Sequence, residues 1–342
     1  MNKAVVGMAV AAGFLVVVML LRDGTDGAPK KTSSPSPSTG KTSSEVVLAI
    51  TPGVGREAGP PAQGKTSPLM KEWRATRDLK PIYDRLRQLA NPTAEESYVL
   101  ASILEECGQT AERKQGDRWF KVPEAKARFA ASLSPKAPNR EKRIQAFENA
   151  MRNDCVGFEK VETTPKEVRD LLERAAAAGE PKAQARVLAL EVNEARRDGK
   201  AGAISDEQIA RMKGIVASGD PRALIDVVSL ITFGNASFHL RDPGEAPIDP
   251  QLLSSASRLV ACELGYPCGP DSPDLASACA FNDFCDAADY RDYVLFYELS
   301  PGAAQRTIQY QAQLMRVVRD GDWSYFTFQR GPGPDTAAYV RP

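Results

Sequence analysis

Six cysteines pose the sharpest chemical question in this 342-residue sequence. Four of them, Cys262, Cys268, Cys279 and Cys285, fall within "CELGYPCGPDSPDLASACAFNDFC", with gaps of five, ten and five residues. Cys107 and Cys155 stand apart. Such thiols could bind a metal, cycle between redox states or staple the fold. A structural zinc knuckle needs its sulfurs about two to four residues apart so that both reach one ion, and a redox C-x-x-C is absent. An even count behind an export-like N-terminus fits a disulfide framework instead. Cys107 and Cys155 each close a predicted helix near the start of the domain, which makes them natural partners. The other four can pair locally, 262–268 and 279–285, each closing a turn after a helix. They can also cross as 262–279 and 268–285. The local pairs are preferred.

Other reactive side chains are sparse. His239 is the single histidine. It lies in "NASFHLRDPGEAPIDP" near Ser237 and Asp242, but a triad is assembled in space and not in sequence. A lone loop histidine is read as structural, and a histidine-rich zinc site is excluded. Asp283, Asp286, Asp289 and Asp292 recur every third residue and read as the solvated side of a helix, since they lack the glycine-containing loop of an EF-hand. Carboxylate pairs such as Glu105 and Glu106 abound, while the criterion for a glycosidase is spatial. A cell-envelope hydrolase using carboxylates therefore stands as the alternative function. "GPPAQGKT", from Gly59 to Thr66, matches a phosphate-binding loop literally. Pro60 and Pro61 have no amides to cradle a phosphate, and Pro68 interrupts the helix that should follow, so no nucleotide is expected. In "DYRDYVLFYELS", Tyr290, Val294 and Tyr297 recur at helical spacing. Core packing is the leading role, and Tyr290, Tyr293, Phe296 and Tyr297 form the candidate partner groove, because aromatics are favoured at interface centres. Nothing calls for a cofactor or a metal.

The elements that must position these residues read as helices. "TAEESYVLASILEEC" opens with Thr93 and Glu96 at capping-box spacing, and Val99, Leu100, Ile103, Leu104 and Cys107 make one apolar stripe. In "PNREKRIQAFENAMRNDC", Ile144, Phe147 and Met151 share a face leading to Cys155. "TPKEVRDLLERAAAAG" begins at Thr164 with Pro165 in its first turn and stops on Gly179. No sustained alternating pattern marks a strand, so the body is expected to be all-α.

Two stretches align at an offset of 40: "AAAAGEPKAQARVLAL" (175–190) and "IVASGDPRALIDVVSL" (215–230). Gly179 and Gly219 end one helix in a left-handed turn. Glu180 and Asp220 cap the next, Pro181 and Pro221 start it, and Ala183 and Ala223 allow close approach. Gly265 and Gly321 take the turn position in weaker echoes, "ACELGYPCG" and "VVRDGDW". With these "A-x-G-D/E-P-x-A" turns the sequence resembles the Sel1/tetratricopeptide-like helical-repeat class over about residues 165–320. The Cys-bearing stretch also looks like a feature of uncharacterised exported bacterial helical proteins. The resemblance implies stacked antiparallel helix pairs, an irregular α-solenoid, with a face for protein partners.

Residues 4–21, "AVVGMAVAAGFLVVVMLL", contain eighteen residues without a charge, about enough to cross a bilayer core. They pass straight into Arg22-Asp23 without a clear cleavage site, so 1–22 is read as an uncleaved signal anchor. Residues 23–68 are rich in Pro, Ser, Thr and Gly and are expected to be a disordered linker, interrupted by the apolar "VVLAI" at 46–50. A disulfide-stapled domain is expected over 69–330 and a flexible tail over 331–342. Lys plus Arg and Asp plus Glu are both 44, so the basic surplus of a nucleic-acid binder is missing. Arg22, Lys30 and Lys31 after the span favour a cytoplasmic body by the positive-inside rule. The cysteines outweigh them, because large domains translocate largely regardless of flanking charge. The expectation is a single-pass inner-membrane protein with a periplasmic body, acting as a non-catalytic scaffold for another envelope protein.

Overall fold

Local capping chemistry sets the start of many of the helices of this protein. In the computed structural model, residues 67–108, 122–151, 155, 157–197, 204–233, 238–241 and 248–330 are described. The expected anchor, the linker up to residue 66, the Gly59–Thr66 match and the tail 331–342 lie outside them. Among the described residues no helix is long and apolar enough to cross a membrane.

Among the described residues thirteen α-helices follow one another. Helix α1 (Pro68–Ala75) is capped by Ser67, whose hydroxyl accepts from the Met70 amide; it starts one residue before the expected domain boundary. After α2 (Lys80–Arg87), α3 (Ala94–Cys107) begins with the expected capping box, Thr93 and Glu96 each accepting from the other's backbone amide. Helices α4 (Val122–Ser132) and α5 (Arg140–Ala150) lie between Cys107 and Cys155. Helix α5 ends before Cys155, which sits in a loop and does not close a helix.

The repeated turns join α6 (Pro165–Ala177) to α7 (Pro181–Arg197) and α8 (Asp206–Ala217) to α9 (Pro221–Phe233). Gly179 and Gly219 have φ of 92° and 70°, values that a side chain disfavours. The Asp220 carboxylate caps α9 by accepting from the Arg222 and Ala223 amides at 2.9 and 2.8 Å. Ala183 and Ala223 are fully buried, as close approach of the paired helices requires. The two turns also bond to each other. Lys182, buried at the start of α7, reaches Glu180 of its own turn at 2.6 Å and Asp220 of the next at 3.2 Å. Arg222, in the equivalent position of α9, pairs with Asp226 at 3.2 Å and interacts with Tyr266 of the third turn. A polar seam thus runs across successive turns, each cation bridging forward.

Gly265 and Gly321 also adopt positive φ, the first after α10 (Pro250–Glu263) and the second after α13 (Pro301–Asp320). Among the described residues no helix follows Gly321. The chain instead forms β2 (Thr327–Arg330), antiparallel to β1 (Phe238–Arg241) with His239 opposite Gln329. This ladder departs from the all-α expectation, and it places His239 in a strand. Ser237 and Asp242 lie outside the described residues. Four-residue strands are too short for alternation to register in sequence, and the ladder is secured by Leu240 and Phe328 against the main core.

That core gathers apolar faces of α7–α10 and α13, and a second joins α1–α3 with α6 and α7. Helices α4 and α5 pack on α11 (Pro273–Asn282). Phe129 and Phe147 stack at 4.4 Å, and both meet Phe281 edge-on.

Candidate functional site

The chain carries three disulfides, and two of them flank the candidate residues. Cys107 pairs with Cys155, Cys262 with Cys268 and Cys279 with Cys285, at Cα separations of 5.2, 5.6 and 4.3 Å. The preferred pairing is the one present. Both local bridges close a turn after a helix. Gly265 reverses the chain after α10, where the Tyr266 amide donates to Ala261 at 2.8 Å. Asp283 ends α11 at φ 66°, so the chain can return Cys285 to Cys279.

Between these bridges and α13 the chain builds one compact turn. Asp289 accepts from the Asp292 amide at 2.7 Å, and Asp292 accepts from the Ala288 amide at 2.9 Å. This reciprocal cap starts α12 (Tyr290–Asp292), which widens at once into a π-helical turn over Tyr293–Glu298. The Leu299 amide closes it on the Val294 carbonyl. Such wide turns are uncommon and recur at functional sites.

The four aspartates therefore do not line one side of a helix. Asp283 ends α11, Asp286 lies in a loop paired with Lys142 at 2.7 Å, and the other two form the cap. The aromatic set divides as well. Tyr290 and Tyr293 are 6% and 7% exposed and belong to the core with Val294 and Leu295, whereas Phe296 and Tyr297 are 41% and 40% exposed. The wide turn rotates Tyr297 out of register with Tyr290 and Val294, so only Phe296 and Tyr297 are presented to solvent.

Both small disulfide loops touch this turn. The Tyr290 amide donates to the Cys268 carbonyl at 2.9 Å. Phe284, next to Cys285, lies against Tyr293 and Tyr297 at 5.5 and 5.9 Å. Behind the aromatics, Arg258 of α10 pairs with Asp274 of α11 at 2.7 Å, its guanidinium 6.0 Å from the Tyr290 ring. Burial raises the Tyr290 phenol beyond its usual range and pushes Tyr293 up to about 12. Glu298 is exposed at its surface, yet partial desolvation by the neighbouring side chains raises its carboxyl, against the opposing pull of Arg258 and a hydrogen bond from Tyr293. Arg258 is raised even though burial works against its charge, because Asp274 faces it.

Arg258, Asp274, Phe284 and Glu298 escape sequence reasoning, since they come from separate elements with no shared spacing. The seam through Lys182 and Arg222 is also missed, although the offset of 40 aligns those two positions and is the signal that could have found it. Among the described residues no group of three or more His, Cys, Asp or Glu could hold a metal. Elsewhere, a shallow depression of about 490 Å³ lies between α2, α3 and α6, floored by Leu86, Leu100 and Leu171.

No family model, curated protein or solved structure matches this chain. The likeness to Sel1 repeats rests on its turns alone.

Proposed function

We propose that this chain is a non-catalytic, membrane-anchored binding protein of the periplasm, in which a Sel1-like stack of helices carries a docking corner for another envelope protein. The observation that carries the reading is the pair Phe296 and Tyr297. Two large aromatic side chains stand exposed on a turn that two disulfide loops hold in place. Aromatics left in water on a rigid support suit an interface centre, where burying them on association contributes most. The apolar stretch 4–21 supplies the membrane attachment, and three cross-links with no free cysteine suit an oxidising compartment.

The test is photo-crosslinking in intact cells, with a photoreactive residue at position 297 and, as control, at exposed Asp84 on α2. A discrete adduct with an envelope protein at 297 only, lost in a Phe296→Ala background, supports the reading. Equal labelling from both positions sinks it. Alkylation before and after reduction gives the topology from the same membranes. A body that retains Met1 and exposes no thiol until reduced is periplasmic and anchored. Six thiols that react at once place it in the cytoplasm.

A further inference from the structure

We infer that the aromatic corner receives a basic, apolar peptide segment of its partner, with leucine-class side chains on Phe296 and Tyr297 and lysine or arginine at the rim. The inference rests on the docking reading above and adds the chemistry of the occupant. Of the four large apolar side chains left exposed among the described residues, Phe281, Phe296 and Tyr297 lie within seventeen consecutive residues. Along this stretch of chain the charge is one-sided. Residues 281–300 hold five acids, Asp283, Asp286, Asp289, Asp292 and Glu298, against one base, Arg291, in a chain whose totals balance at 44 and 44.

Local pairing leaves most of that excess in place. Asp286 meets Lys142, and Glu298 feels Arg258, whose own ion pair is with Asp274. Arg291 spends its guanidinium on the Gln311 side chain at 3.1 Å. Asp289 and Asp292 cap backbone amides, which neutralises no charge. Aromatic faces attract cations through their quadrupole, so the rings and the carboxylates select the same sign. An acidic segment, a nucleic acid or an anionic lipid surface meets repulsion here, and opposite charge across a rim speeds encounter and sets specificity.

The test uses the full chain in zwitterionic detergent and two labelled helical peptides of sixteen residues, one of Leu and Lys, the other of Leu and Glu, read by fluorescence anisotropy. The Lys peptide binds at least tenfold more tightly than the Glu peptide, and added salt weakens it. Phe296→Ala with Tyr297→Ala lowers that affinity at least tenfold. Glu298→Gln lowers it about threefold, and Leu89→Ala leaves it unchanged. Unchanged far-ultraviolet circular dichroism verifies that the variants fold. Equal binding of both peptides, or binding indifferent to residues 296 and 297, overturns the inference. Anionic vesicles that compete through Phe296 and Tyr297 also overturn it, in favour of a lipid surface. A crosslink at 297 in cells without preference for the Lys peptide keeps the docking reading and removes only the charge rule.

Discussion

The Tyr290 amide donates to the Cys268 carbonyl at 2.9 Å, tying a disulfide loop to the first residue of the turn that presents Phe296 and Tyr297. The cross-links of the molecule differ in accessibility, and those at the corner differ from the long one elsewhere. Cys107 is fully buried and Cys155 is 9% exposed, whereas Cys262, Cys268 and Cys285 are half-buried.

A stepwise reduction follows from that difference, since a thiolate must reach a sulfur in line to exchange. Titrating the native protein with dithiothreitol and trapping with iodoacetamide should label Cys262, Cys268, Cys279 and Cys285 before Cys107 and Cys155. Loss of either small bridge costs about 2 kcal/mol and loss of the long one about 4 kcal/mol by loop-closure entropy. Peptide mapping that finds Cys107 labelled first, or all six together, contradicts the ranking.

The seam at the repeat turns gives a second outcome. Lys182 is 7% exposed and separates Glu180 from Asp220. Burial works against its charge, but Asp220 and Glu180 outweigh it, so its pKa is raised. Lys182→Met leaves two carboxylates facing each other across the turns and should cost about 3 kcal/mol in urea unfolding. Adding Glu180→Gln and Asp220→Asn should recover most of the loss. The raised pKa means that the contribution of Lys182 is present below the unfolded-state value and fades as pH rises through the higher folded one. The stability difference between wild type and Lys182→Met should therefore shrink only in strongly alkaline solution. A difference that vanishes near neutral pH refutes the bridge.

How much of this was legible depends on how local each cause is. The turns at Gly179, Gly219, Gly265 and Gly321 could be read because a left-handed glycine is required at the reversal itself, and at 179 and 219 an acid and a proline follow directly. The cysteine pairing could be read because each small loop closes over its own turn. The π-helical turn could not. It exists because Cys268 and Phe284 hold its start while Ser300 and Pro301 begin α13, and none of these shares a period with Tyr290. The docking of α5 on α11 was equally silent, because its polar contacts join residues far apart: Arg143 donates to the Ala280 carbonyl at 2.9 Å and Asn139 to Asp283 at 3.2 Å.

That docking predicts a local response. Phe147 is 6% exposed and stacks on Phe129 against Phe281. Phe147→Ala should cost about 3 kcal/mol, the low end for such a truncation. The cost should fall on α4, α5 and the end of α11. Amide exchange should accelerate there and stay unchanged in α7–α9, whose core is separate. Uniform acceleration across the chain means that α4 and α5 belong to the global unit.

Glu298 offers the closest check on the corner itself. Although the residue is exposed at its surface, partial desolvation raises its carboxyl, and Arg258 and the Tyr293 hydroxyl pull it back down. A hydrogen bond donated to a carboxylate favours the charged form. Tyr293→Phe should therefore move the Glu298 titration further upward, as should Arg258→Met, while Asp84→Asn leaves it in place. Carbon-13 NMR of the side-chain carboxyl measures this directly. The sign is decisive. If desolvation dominates, removing either helper raises the pKa. If Glu298 simply projects into water, its titration sits at the ordinary carboxylate value and neither substitution shifts it, and the π-helical turn then does not hold Glu298 against the ring of Tyr293.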